Sequence, residues 1–340
     1  MIQSLILIRN NQTLLNTLDL SGILTWCQKN GRTEFSPSTK MKNPLHYIQE
    51  YPQRTKQILG ISNEQFQELL NQAEMHHNKI QAEIERKKIR INEKGGGRKP
   101  KLEVKEEVCL CLFYLRQMPT FEVLGLHFGV SKTEANDTFH YWLKILRNIL
   151  PASLLEEVEK HDSDYGIAIE LLREFQLIVD SMEQPRERPV SHEEQKKYFS
   201  GKKKQHTFKN QFIVLPKGKD IVDVEVGEKG PRSDISLFCE QQEKFDSNQM
   251  FEGDKAYQGG ENIKTPYKKP RKGELNAQQK AENKEFSGKR IFVEHIIRIV
   301  KIFQIARKRF PLNSRNYEQV ILTICGLVRL RIGALILPSL

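Results

Sequence analysis

Three acidic residues stand where side chains from distant parts of a chain can meet. Asp180 and Asp254 each end a short apolar run that predicts a buried strand, and Glu294 lies in a predicted helix. Strands that end at one edge of a sheet can bring such carboxylates together. Magnesium prefers oxygen ligands, and two such ions can stabilise both the attacking and the leaving oxygen in phosphoryl transfer. The pattern therefore indicates metal-dependent chemistry on a phosphate ester.

The helix that carries Glu294 also carries two cations at helical spacing. Arg290 lies four positions before Glu294 and Lys301 lies seven positions after it, which places all three on roughly one face. A carboxylate between two cations suits a metal site beside a DNA phosphate, but the same spacing also suits a ladder of salt bridges. Taken singly, Asp180 and Asp254 can each cap a turn, and Glu294 can be a surface residue.

The second half of the chain alternates predicted strands and helices, which indicates an α/β fold. Apolar runs predict strands over 175–180, 208–216, 220–227 and 250–254. Helical periodicity predicts helices over 234–245, 289–310 and 316–335.

The first half reads as helical. Ser62 and Gln65 form a predicted capping box at the start of a long polar helix over 62–94. Three shorter helices follow over 102–117, 121–128 and 131–150.

The segment 120–148 has the order helix, glycine-containing turn, helix, which can place its second helix in the major groove of DNA. The residues that would reach base edges are Lys132, Thr133 and Asn136. A small helical bundle without DNA binding has the same pattern, so this alternative stays open.

Two basic tracts lie outside these motifs. Arg98 and Lys99 follow a run of three glycines and belong either to a flexible linker or to an arm that lies on phosphates. The tract 202–206, Lys-Lys-Lys-Gln-His, either lies along DNA or forms an exposed loop.

The composition favours a polyanionic partner. Lys and Arg number 54 against 43 acidic residues, which gives a net charge of +11.

The five cysteines show no CxxC pair, so neither a disulfide framework nor a zinc finger is indicated. No apolar stretch reaches the roughly 18 residues of a membrane helix. We therefore expect a cytoplasmic, nucleoid-associated protein without a membrane partner. Residues 1–40 match nothing that follows, and Met41 resembles a natural start.

Taken together, the motifs resemble the DDE insertion-sequence transposases of the insertion-sequence-five type. The most specific match is the arrangement of Arg290, Glu294 and Lys301, with Ser287 where the family pattern has an aromatic residue. The segments GDKAYQG, around Asp254, and LIVDSMEQPRERP, around Asp180, also resemble family segments. The resemblance covers about residues 41–335.

The resemblance implies a ribonuclease-H-like mixed sheet with flanking helices, preceded by an all-α helix-turn-helix domain. The implied organisation is an extension over 1–40, a helical segment and basic linker over 41–101, a DNA-binding domain over 102–151 and a catalytic domain over 174–337. Asp180, Asp254 and Glu294 would bind the divalent metal, magnesium or manganese. Arg290, Lys301 and, less directly, Lys255 would contact DNA.

The implied activity is cleavage and strand transfer of DNA. The partners would be the inverted-repeat ends of a mobile element and its target DNA, and the protein would act as a homodimer or higher oligomer. The alternatives are a sequence-specific DNA-binding protein without catalysis, such as a domesticated transposase, and a related nuclease that acts on other nucleic acids.

Overall fold

Short polar side chains begin the helices of the first half, in a computed structural model that describes residues 43–88, 99–159 and 162–337. The predicted extension over 1–40 and Arg98 lie outside these ranges. Ser62 caps the long helix and forms the predicted capping box with Gln65. The helices of this half are α1 (Pro44–Glu50), α2 (Thr55–Ile58), α3 (Asn63–Lys87), α4 (Val104–Gln117), α5 (Phe121–Phe128), α6 (Lys132–Ile149), α7 (Leu154–Glu159) and α8 (Asp162–Leu172).

The predicted helix-turn-helix is present as α5, a tight turn and α6. Thr120 accepts a hydrogen bond from the backbone N–H of Val123, and Ser131 accepts one from Glu134. Between the helices, Gly129 has a φ of 70°, a left-handed conformation that glycine adopts without a steric penalty. The chain therefore stops α5 and restarts as α6 through local signals alone.

The second half forms a mixed sheet with helices packed on it, as predicted. Its strands are β1 (Leu177–Pro185), β2 (Phe199–Ser200), β3 (Gln205–Val214), β4 (Ile221–Lys229), β5 (Phe251–Glu252) and β6 (Ile263–Lys264). Its helices are α9 (His192–Tyr198), α10 (Asp234–Gln242), α11 (Ala277–Val300), α12 (Gln304–Arg307) and α13 (Tyr317–Ile332). The antiparallel strands β4, β3 and β1 are followed by β5 and β6, both running parallel to β1, while β2 pairs with the start of β3.

Two elements near the predicted site differ from their sequence-based bounds. The strand β1 does not end at Asp180 but continues to Pro185, because its whole length pairs with β3. The helix that contains Glu294 begins at Ala277, capped by Asn276, and ends at Val300. Asp180 therefore lies within a strand, and Lys301 lies at the C-terminal cap of the helix.

One hydrophobic core runs through both halves. It joins the helices α1 to α6 with one face of the sheet and with α11 to α13. A second cluster fills the opposite face of the sheet, against α10. Across the described ranges, none of the helices has both the length and the apolar composition needed to cross a bilayer.

The fully buried Arg329 of α13 ties the two halves together. Its guanidinium makes two hydrogen bonds with Asp220, of 2.7 and 2.8 Å, and a further one of 2.7 Å with Glu157. It also donates to the backbone carbonyls of Pro151 and Ser153. These bonds fix the segment after the helix-turn-helix to the start of β4.

Candidate functional site

Asp180 lies on the face of β1 that α11 covers. Side chains alternate across a strand, and the same face carries Ile178 and Met182, which belong to the core under α11. One carboxylate oxygen of Asp180 accepts a hydrogen bond of 2.8 Å from the backbone N–H of Ser181. Burial raises the pKa of Asp180 to about 6, despite the opposing effect of this hydrogen bond.

The parallel pairing of β1 with β5 brings Asp254 to the same edge of the sheet. Ile178 pairs with Glu252, and each of these residues is followed two positions later by an aspartate. Asp254 lies just beyond β5, where its carboxylate accepts a hydrogen bond of 2.7 Å from the backbone N–H of Ala256. The carboxylate therefore caps a short 3-10 turn, one of the ordinary roles considered above, while it stands near Asp180.

Arg290 links Asp180 to Glu294. Its guanidinium nitrogen Nη2 lies 3.8 Å from Oδ2 of Asp180 and 3.7 Å from Oε1 of Glu294. The Glu294 side chain is 57% exposed, whereas the Asp180 side chain is only 18% exposed. Because both distances exceed those of a strong charge-assisted hydrogen bond, the guanidinium balances the two charges without locking either carboxylate.

The three acids share one electrostatic neighbourhood. After burial, the pKa of Asp180 is lowered by the Ser181 N–H and by Arg290, and it is raised by the charges of Asp254 and Glu294. Each of the two other carboxylates is thus close enough to disfavour a negative charge on Asp180.

The donor set suits a hard divalent cation. Three carboxylates supply oxygen ligands, and a cation would relieve the repulsion that Asp254 and Glu294 exert on Asp180. Within the part of the chain that the structure describes, however, no three His, Cys, Asp or Glu side chains are already gathered around one metal position. Arg290 supplies the balancing positive charge in this arrangement.

Lys301 and Lys255 lie on different elements near this acidic group. The half-buried Lys301 lines a cleft next to Ser181, and the charge of Asp180 acts on its ammonium group. Lys255 is exposed on the turn that Asp254 caps.

A polar layer behind Asp180 was not predicted from the sequence. Ser181, on the opposite face of β1, donates a hydrogen bond of 2.7 Å to Asp234 of α10. The ammonium group of the buried Lys209 lies 2.9 Å from the same carboxylate. The hydroxyl of Tyr257, also buried, lies 3.1 Å from the side-chain amide of Gln211. The signal for this layer is the run of polar residues Lys209, Asn210 and Gln211 between the apolar Phe208 and Phe212 of β3.

The predicted base-reading residues lie at the start of α6. Lys132 and Thr133 are exposed, and Asn136 is half-buried with its amide 3.2 Å from Asp137. The opposite face of α6 is buried through Phe139, Trp142 and neighbouring apolar residues. Lys99 is exposed ahead of α4. The first turn of α6 is therefore open to a ligand.

Comparison with known proteins gives matches to two segments of the chain. Residues 179–329 match the family model described as DDE superfamily endonuclease, and residues 100–152 match the helix-turn-helix of DDE superfamily endonuclease. The chain is 33% identical over 227 residues to a protein of Microchaete diplosiphon described as a probable transposase for insertion sequence element IS702. The match covers 65% of this chain and 78% of that relative. No solved structure matches the chain.

Proposed function

Because this chain belongs to the DDE superfamily of insertion-sequence transposases, we propose that it binds the inverted-repeat ends of a mobile element and catalyses DNA cleavage and strand transfer. The observation that carries the proposal is the approach of Asp254 and Glu294 to Asp180, with Arg290 between Asp180 and Glu294. Asp180 lies within β1, Asp254 follows the parallel strand β5, and Glu294 lies in α11.

Asp180, Asp254 and Glu294 would hold the divalent ion, which when bound lowers the pKa of a water and offsets phosphate charge. Water attacks the phosphorus and the 3′-oxygen leaves, which gives a free 3′-hydroxyl. That hydroxyl then attacks a phosphate of the target DNA at the same site. Carboxylates from separate elements suit this role because each can approach the metal ion from a different side.

The cations of α11 bind and orient the DNA in this proposal. Arg290 lies between two carboxylates at distances that leave its N–H groups without short hydrogen bonds to them. Lys301 lies next to Asp180 and makes no side-chain ion pair with any described residue, so both can neutralise phosphates beside the cut. Lys255, on the exposed turn after Asp254, would contact the DNA from the other side.

The helix-turn-helix would supply recognition of the element ends. Lys132, Thr133 and Asn136 stand in the first turn and a half of α6, where a recognition helix contacts base edges. Lys99 would lie on the phosphate backbone ahead of α4, as would the predicted contact Arg98. The active form is expected to be a homodimer or higher oligomer, since two element ends must be cut together.

The test uses two glutamates of the same helix. The substrate is duplex DNA that carries the inverted repeats flanking the coding region, incubated with magnesium or manganese. We expect Glu294→Gln to abolish cleavage, whereas Glu285→Gln should cut like the wild type, because Glu285 is an exposed residue whose partner is Lys289. Loss of the outer partners of a metal ligand costs about 10–100-fold, so loss of a ligand should cost about 100-fold or more.

Two outcomes would contradict the proposal in different ways. If Glu294→Gln cuts as fast as Glu285→Gln, Glu294 is not part of the catalytic site. If the wild-type protein binds the repeats but never cuts them with either metal, the chain is a DNA-binding protein without catalysis.

A further inference from the structure

A basic cleft of about 400 Å³ opens beside Asp180. One wall is the turn between β2 and β3, which carries Lys202 and Lys203. A second wall is the loop 230–233 after β4, and Lys301 closes the end nearest the acidic site. The volume lies within the range of small-ligand sites.

Three of the cations in this cleft have no acidic partner. Lys202, Lys203 and Lys301 make no side-chain hydrogen bond or ion pair within the described ranges. The other two cations are neutralised, because Lys209 pairs with Asp234 at 2.9 Å and Arg232 pairs with Glu228 at 2.8 Å. The uncompensated positive charge is therefore concentrated on the β2–β3 turn and on Lys301.

Lys203 and Lys301 repel each other across the cleft. Burial, and then the charge of Lys203, lower the pKa of Lys301, and the charge of Asp180 opposes this effect. This repulsion destabilises the protein when no ligand is bound. An anion placed between the two ammonium groups would remove it.

The remaining lining is suited to a sugar-phosphate backbone and not to bases. No aromatic side chain lines the cleft, so it offers no surface on which a base can stack. Its other acid, Glu183, accepts a hydrogen bond of 2.8 Å from Thr207. Hydroxyl and backbone groups of Ser200, Gly201 and Ser233 complete the walls. Contacts of this kind fix the position of DNA and carry no sequence information.

We propose that this cleft binds a backbone phosphate of the DNA strand next to the phosphate that the acidic site cuts, with Lys203 and Lys301 on its two sides. The inference rests on the proposed function for the direction of the strand, since Lys301 lines the cleft together with Lys203 and is also within reach of the charge of Asp180. The β2–β3 turn would thereby hold the DNA strand in position as it leaves the acidic site.

The chain offers a matched control on the same turn. Lys204 follows Lys203 and is equally exposed, but it does not line the cleft. Lys203→Gln and Lys204→Gln remove the same charge and keep a similar side-chain length. Both positions are on the surface, so thermal unfolding of the two variants should match that of the wild type.

The experiment measures binding of the full chain to DNA of random sequence, as a duplex and as a single strand, between 50 and 200 mM salt. EDTA is present, so that no strand is cut. Each phosphate contact contributes about 0.9 to the slope of log K against log salt for duplex DNA and about 0.7 for single strands. Lys203→Gln should lower the slope by about one contact and weaken all sequences equally, whereas Lys204→Gln should leave the slope near that of the wild type.

The two DNA forms identify the source of the phosphate. A change of slope with the duplex shows that the cleft accepts an intact double helix, and a change with the single strand alone shows that it accepts an unpaired end. Equal effects of Lys203→Gln and Lys204→Gln would overturn the proposal, because only diffuse surface charge would then be involved. A wild-type protein that never cuts DNA, while Lys203→Gln still lowers the slope, would contradict the proposed function and leave the cleft assignment standing.

Discussion

Replacing Asp180 with asparagine should stabilise the metal-free protein while it abolishes cleavage. The carboxylate is largely buried, and asparagine keeps the oxygen that accepts the Ser181 N–H. Burial raises the pKa of Asp180 in the folded protein to about 6, above its ordinary value of 3.8. A raised folded-state pKa means that the unfolded chain ionises more readily, so ionisation of this group favours unfolding.

The magnitude follows from the two pKa values. Each tenfold difference in proton affinity corresponds to about 1.36 kcal/mol, so the ionised carboxylate costs about 3 kcal/mol well above pH 6. The contribution of Asp180 to stability is fully present below pH 3.8 and is lost as the pH rises through 6. Asp180→Asn should therefore raise the free energy of unfolding by about 3 kcal/mol at pH 8 and by about half as much at pH 5.

The assay is urea denaturation followed by circular dichroism, at pH 5 and pH 8, with EDTA present. The control is Asp137→Asn, which removes an exposed carboxylate of α6 and should change the free energy of unfolding little at either pH. Magnesium should stabilise the wild type, by about 2.7 kcal/mol at 100 times its dissociation constant, and should stabilise Asp180→Asn much less. The reasoning is refuted if Asp180→Asn is less stable than the wild type at pH 8, or if the difference does not depend on pH.

Two further predictions concern the junction between the halves. Arg329→Met should lower the free energy of unfolding by about 3–5 kcal/mol, because Asp220 is left as an uncompensated buried charge. Adding Asp220→Leu should restore part of the loss, and a double mutant no more stable than Arg329→Met would contradict this account. Gly326→Ala should cost about 1–3 kcal/mol, since its Cβ would lie 2.6 Å from Cβ of Leu150. Gly288→Ala, in the helix α11 with nothing within 4 Å, is the matched control in the same urea titration, and equal stability of the two variants would exclude the clash.

The starts of α3, α5 and α6 could be predicted because their signals are local, whereas α1, α2, α7 and α8 were not predicted. Ser62, Thr120 and Ser131 each accept a hydrogen bond from a backbone N–H three residues ahead, and each immediately precedes an observed helix. A capping residue and the residue whose N–H donates to it lie within four consecutive positions, so a short stretch of sequence is enough to predict the cap. The start of α11 was placed too late, although Asn276 and Gln279 form a capping box of the same kind.

The end of β1 could not be predicted in this way. The polar residues after Asp180 resemble a turn, and only the pairing with β3 keeps Met182 to Pro185 in the strand. That pairing depends on Thr207 to Asn210, which are 22 to 28 positions away in the sequence. Propensity within a short window therefore ended the strand too early.

The sequence predicts the acids of the proposed site, but it does not predict their surroundings. The resemblance named Asp180, Asp254 and Glu294, whereas Lys209 and Asp234 come to Ser181 only through the register of the sheet and the docking of α10. Likewise, Lys203 meets Lys301 only because the β2–β3 turn reaches the end of α11. The spacing of a motif predicts which residues take part in a site. The register of the sheet determines which other residues contact them.

The shared core gives a reason why recognition and cutting should be coupled. Separate domains move relative to each other unless their interface is large and apolar. Here α6, the proposed recognition helix, packs directly on α13, which also packs on β4. If α6 contacts the element end as proposed, a DNA end that shifts along α6 must shift by the same amount relative to Asp180, because α6, α13 and the sheet share one core. A DNA end that makes the correct base contacts would then also have its cut phosphate correctly placed. The buried Arg329 helps to keep α6 fixed relative to the sheet, because it bonds the segment after α6 to the residue before β4.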